Sequence, residues 1–177
     1  MKKIIAALCL LPLSHFAQRD SVKIGKFVDD ASADNKTFYF PTRELLLISD
    51  KKDKGVQITA FVKMVNDTLK IQDLKVKATG LGECTEKDEM IIKFADSTTL
   101  VLKSYQELNC KAIAWFSVTP TDINKLKKLK LGTIKFTNGK TGMSFAKVCP
   151  ADNNDYFIQV FYALDKKKIK IIKPKAQ

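Results

Sequence analysis

Histidine is all but missing from this 177-residue chain, the one example being His15. It falls in a segment that reads as a cleavable leader, so the processed chain is expected to carry no imidazole. That excludes Ser-His-Asp and Cys-His catalysis and the usual histidine-containing zinc sites. Arginine is nearly as scarce, with only Arg19 and Arg43. Bidentate recognition of phosphates and base edges favours arginine, so no nucleic-acid partner is expected despite the basic balance. No Cys-x-x-Cys pair, phosphate loop, dinucleotide fingerprint or calcium-loop spacing occurs, and no cofactor or metal is expected. Beyond the leader, lysine interrupts every apolar run before it reaches the roughly 20 residues of a membrane-spanning helix.

What is present begins with that leader. Lys2 and Lys3 precede the apolar run IIAALCLLPL and a short polar end, the three-part plan of a secretory signal. Cleavage is expected after Ala17, and loss of Lys2 and Lys3 lowers the formal net charge from +12 to +10. The expected location is therefore exported, periplasmic or extracellular, with no transmembrane segment in the mature chain. The organisation predicted is a signal peptide at 1–17, a polar N-terminal segment at 18–35, one mainly-β domain at 36–166 and a Lys-rich tail at 167–177. Hydrophobic residues at 45% and charged residues at 28% suit a single globular core.

Three cysteines follow the leader: Cys84, Cys110 and Cys149. The segment MIIKFADSTTLVLKS alternates as a hairpin. Pairing Phe94 with Leu100 and Ile92 with Leu102 centres the turn on Ser97, and the same register carried outward sets Cys84 opposite Cys110. A Cys84–Cys110 disulfide is predicted on that basis, provided the polar CTEKDE and YQELN stretches do not bulge. Two reduced, buried cysteines are the alternative. Cys149 is left over, as a thiol or a link to another chain.

Period-2 alternation is clearest in VQITAFVKM, where Val56, Ile58, Ala60, Val62 and Met64 share a face. LKIQDLKVKA returns with its phase slipped, which predicts a bulge near Gln72 and Asp73. CKAIAWFSV is apolar on both faces and reads as a central strand. Thr-Pro-Thr-Asp then starts a helix, with Thr119 as N-cap, Pro120 in the first turn and Asp122 near the positive dipole end. Asn138-Gly139 marks a second hairpin turn. In DNNDYFIQVFYALDKKK, Phe157, Val160, Phe161 and Leu164 have helical spacing, and that segment is read as a helix although its composition also suits a strand. The fold class is thus α+β, mainly β: an antiparallel sandwich or strongly curved sheet with two short helices. Trp115, Phe116, Phe94, Ile92, Leu100, Leu102, Ile134, Phe136 and Phe157 are the predicted core.

The order of a FADSTTLVLK hairpin, a TPTDINKLKK helix, an IKFTNGK hairpin and a closing DYFIQVF helix resembles small secreted proteins of unknown function common in the Bacteroidota. The resemblance covers about residues 89–165. It implies an envelope or extracellular location and no activity. It also makes Asp20-Ser21-Val22, Asp67-Thr68-Leu69 and Asp96-Ser97-Thr98 similar to the O-glycosylation sequon of that group.

Two clusters remain as chemistry. Glu83, Glu86, Asp88 and Glu89 lie in one polar stretch, a poor source for the carboxylate pair of a glycosidase, which comes from separate elements across a cleft. Lys125, Lys127, Lys128 and Lys130, with Lys166, Lys167 and Lys168, form a candidate face for an anionic partner. The expected function is a non-enzymatic exported binding or interaction module with an unknown protein or envelope partner. The alternatives are an envelope accessory protein holding acidic glycan or lipid on its Lys-rich face, and a carboxylate-dependent hydrolase.

Overall fold

The computed structural model describes residues 21–29, 36–166 and 169–171. The leader and Lys167 and Lys168 lie outside the described residues. Eleven strands and two helices are present among the described residues. The strands are β1 (Ile24–Asp29), β2 (Lys36–Pro41), β3 (Leu45–Ile48), β4 (Gly55–Val65), β5 (Thr68–Thr79), β6 (Glu89–Phe94), β7 (Thr99–Lys103), β8 (Ile113–Ser117), β9 (Leu131–Thr137), β10 (Ser144–Val148) and β11 (Ile169–Ile171). Helix α1 (Pro120–Lys128) follows β8, and α2 (Tyr156–Asp165) follows β10.

The strands form a two-sheet sandwich. The larger, seven-stranded sheet runs β11-β1-β2-β4-β5-β8, with β3 also on β4. The smaller runs β10-β9-β6-β7. All pairings are antiparallel except β1 with β11. Strands thus form within both segments predicted to flank the domain. Pro41 ends β2, since it has no N–H to offer a continuing ladder.

Alternation decides which side chains meet between the sheets. Val56, Ile58, Ala60 and Val62 of β4 are buried, as are Ile71, Leu74, Val76 and Ala78 of β5. The phase slip is real: the register shifts at Phe61/Val62, which leaves Gln72 as the extra residue on β5. Met90, Ile92, Phe94, Leu100, Leu102, Ile134, Phe136 and Phe145 face them from the smaller sheet. The rings of Phe116 and Phe136 meet edge to face, with centroids 6.3 Å apart, across the interior. Each such ring contributes roughly 1.5–3 kcal/mol by leaving water. One end of the core is closed by α2, whose Tyr156, Phe157, Val160, Phe161, Ala163 and Leu164 are all buried. Helix α1 packs beside it through Leu126, and its start is a capping box in which Thr119 and Asp122 satisfy each other's backbone N–H groups.

Cys84 and Cys110 form a disulfide, but the register that led to it is corrected. Ile92 pairs with Leu100, not Leu102, and Met90 pairs with Leu102. The hairpin is therefore two residues tighter than the Ser97-centred one, and the four apolar residues still share a face because the slip is even. Farther out, Thr85 pairs with Asn109. Two residues lie between Thr85 and Asp88, whereas four lie between Ser104, which is bonded to Asp88, and Asn109. The two extra residues sit in the YQEL stretch, and they restore the alignment that the tighter turn had lost. Cys149 is buried, outside the bridge.

Two further expectations are corrected. Asn138-Gly139 is not a two-residue turn, because β9 and β10 pair as Thr137 with Ser144 and leave a six-residue loop. Asn138 is instead buried, donating to the Cys84 carbonyl at 2.9 Å and accepting from the Lys140 and Thr141 N–H groups. Gly139 presses against Glu86 and Lys87, and its N–H donates to the buried Asp88 carboxylate at 3.0 Å. These bonds tie the β9–β10 loop to the disulfide loop, as buried polar groups require. Trp115, the second correction, is not in the core. In β8 it is Ala114 and Phe116 that point inward, and Trp115 stands half-buried on the outer side. That strand is an edge of the larger sheet rather than a central strand; Ser104 bridges to Phe116 and carries the chain between the sheets.

Candidate functional site

The carboxylate stretch disperses on folding. Asp88 is fully buried and bonded to the Gly139 N–H and Ser104 hydroxyl, and desolvation pushes its carboxyl above the ordinary value against the pull of those bonds. Glu86 pairs with Lys140 at 3.9 Å, Glu83 is exposed, and Glu89 lies in β6. Of the predicted lysine face, Lys125 donates to the Thr99 carbonyl at 3.0 Å. Lys127 lies 5.2 Å from the Phe161 ring centroid and pairs with Asp165 at 3.8 Å. Lys128, Lys130 and Lys166 are exposed. Of the five described lysines, Lys125 is thus engaged with β7 and Lys127 with α2. Ser21, Thr68 and Ser97 of the three sequon-like motifs are exposed.

A different surface gathers chemistry on the outer side of the larger sheet. With Val56, Ile58, Ala60 and Val62 of β4 inside and Met64 exposed beyond them, Gln57, Thr59, Phe61 and Lys63 point outward. Register sets Gln57 beside Lys77, Thr59 beside Lys75 and Phe61 beside Asp73. On the far side of β5, Lys77 faces Ile113, Lys75 faces Trp115 and Asp73 faces Ser117. Phe61 and Trp115 lean together across β5 until their rings meet edge to face, centroids 5.5 Å apart. The Lys75 ammonium stands 5.9 Å from the indole centroid, a cation–π placement. Asp73 belongs to an outward row yet is only 5% exposed. Its Oδ1 accepts from the Ser117 hydroxyl at 3.0 Å. Tyr105, from the stretch before β8, also reaches Asp73; its hydroxyl is held above its usual pKa by burial first and then by the charge and hydrogen bond of Asp73.

Toward β3, Glu44 accepts hydrogen bonds from Thr59, at 2.6 Å, and from Gln57. Toward β2, a depression of about 560 Å³ opens where β2 touches β4 through the single pair Tyr39–Val62. Phe38, Phe61 and Met64 line it with Lys63, Thr37 and Gln72, the bulge residue. Its volume lies in the range of small-ligand sites. Rings thus run across the strands from Phe38 through Phe61 to Trp115 over three strand spacings, about 14 Å. The smaller sheet differs. Its outward residues, Ile91, Lys93, Thr99, Val101, Lys135 and Val148 among them, include lysines and β-branched side chains and, among the described residues, no aromatic ring.

Sequence reasoning could have found part of this. The alternation that puts Val56, Ile58, Ala60 and Val62 inside leaves Phe61 outward in a polar row, which is the signal of a non-core ring. Trp115 gave no such signal, since its strand is apolar on both faces. No family model, curated protein or solved structure matches this chain.

Proposed function

We propose that this protein is an exported, non-enzymatic binding module whose contact surface is the outer face of the larger sheet. One observation carries the reading: aromatic rings stand on the outside of one sheet only, held by strand register over Asp73 and flanked by hydrogen-bonding side chains. Large side chains placed outward cost solubility and add nothing to the core, so their concentration on one rigid face marks a contact surface. The disulfide suits an oxidising compartment, and no helix among the described residues is long and apolar enough to cross a membrane.

Sedimentation with isolated envelopes of the producing cell tests the reading. Wild type is expected to co-sediment, Phe61→Ala and Trp115→Ala to lose most of that binding, and Lys128→Glu/Lys130→Glu to keep it. Far-UV circular dichroism confirms that each variant folds. Loss in the lysine variant alone would move the contact surface to the helical layer and overturn the proposal.

A further inference from the structure

The same face has features that discriminate among ligand classes, and the inference below rests on the reading just given. A stacking ring beside a cation suits a ligand with an apolar face and a nearby negative charge. The indole of Trp115 with the Lys75 ammonium 5.9 Å from its centroid is such a pair, and Lys77 follows two residues along the same strand face. The adjoining row is different in kind. Glu44, which holds Gln57 and Thr59, is a pure acceptor that favours ligand groups with hydrogens to donate. A ligand meeting both must carry hydrogen-bond donors, anionic groups and apolar patches at intervals of a few ångströms.

We infer that the ligand is an acidic polysaccharide, a chain of pyranose rings bearing carboxylates. The C–H face of one ring stacks on Trp115 with Phe61 at its edge, its carboxylate meets Lys75 and Lys77, and hydroxyls of a neighbouring ring donate to Glu44. A single-stranded nucleic acid would also use ring and lysine, but its sugar–phosphate backbone lacks the row of hydroxyl donors that a polysaccharide offers to Glu44. A purely apolar peptide offers no charge to either lysine and no donor to Glu44, so burying those groups under it would be costly. Trp115, Lys75 and Lys77 lie in rows along the outer sheet face, which suits a polymer lying across strands.

Isothermal titration of the purified, disulfide-bonded protein with polygalacturonate, alginate and chondroitin sulfate tests the inference. Fully methyl-esterified polygalacturonate serves as the neutral analogue and an oligothymidylate as the nucleic acid. At least one acidic polymer is expected to bind, with affinity falling about tenfold or more for Trp115→Ala. Lys75→Gln/Lys77→Gln is expected to bind more weakly and with a smaller salt dependence. If polygalacturonate is the polymer bound, its ester is expected to bind no better than that variant binds the acid. Equal affinity for acid and ester, with the loss in Trp115→Ala retained, would overturn the acidic class while leaving the binding face in place. Tighter binding of oligothymidylate would overturn the carbohydrate class. Binding unaffected by Trp115→Ala, or lost only in Lys128→Glu/Lys130→Glu, would refute the face itself. No binding to any of the three acidic polymers would refute the inference.

Discussion

Removing the disulfide is the perturbation whose size follows most directly from the structure. Cys84 and Cys110 close a loop of 26 residues. In the chain-entropy description such a link lowers the entropy of the unfolded chain enough to stabilise the fold by about 3.5 kcal/mol. The ends of that loop are also held by the Thr85–Asn109 backbone pair and by Asn138 on the Cys84 carbonyl, so the native arrangement should survive the loss of the bond. Cys84→Ser/Cys110→Ser is therefore expected to fold, with its stability lower by about 2–4 kcal/mol and its Tm lower by roughly 4–16 °C for a domain of this size. Urea unfolding followed through Trp115, the only tryptophan, measures the change. Alkylation counted by mass should add two more labels after reduction than before it. An unchanged label count would refute the bond, and a stability difference under about 1 kcal/mol would refute the loop-closure reasoning.

Gly139→Ala sets a Cβ 2.2 Å from the Glu86 carbonyl oxygen and 2.3 Å from that of Lys87. It is expected to cost about 1–3 kcal/mol in urea unfolding, whereas Gly142→Ala, with φ +70 and open space around it, should cost about 1 kcal/mol or less. Asp88 has a carboxyl pKa raised by burial, so the folded state holds its proton more tightly than the unfolded chain does. Its contribution to stability is therefore fully present below the ordinary value of 3.8 and is lost as pH rises through the raised value. Asp88→Asn should flatten that decline in a pH series of denaturant melts, and an unchanged slope would contradict it. Asp50, Asp53 and Asp96 have lowered values, so their contributions vanish only as pH falls below 3.8 and do not mask the test. Thr119→Ala removes half of the capping box and should cost about 1 kcal/mol, read as a drop in the urea midpoint.

Most of the inner architecture was legible because burial leaves a period in the sequence. The faces of β4, β6, β7 and α1 and the bulge at Gln72 could be read from apolar spacing, slipped phase and Thr-Pro-Thr-Asp. Register was less legible. A two-residue slip preserves every face, so alternation cannot tell a turn centred on Ser97 from the tighter one observed. Asn138-Gly139 misled because long-range contacts, Asn138 to Cys84 and Gly139 to Asp88, outweigh the local preference for a tight turn. The outer face was hidden for a related reason. Its rows come from three strands that the sequence alone does not place side by side, and Trp115 meets Phe61 only because β5 lies between them.

The most direct check on the binding face is the emission of Trp115 during titration with the acidic polysaccharides, since no other indole contributes. A saturable change in intensity or wavelength is expected, with the same midpoint as the calorimetric isotherm and with that midpoint moved to higher ligand concentration in Lys75→Gln/Lys77→Gln. Calorimetric binding that leaves the emission of Trp115 untouched would place the ligand elsewhere on the molecule and contradict the account.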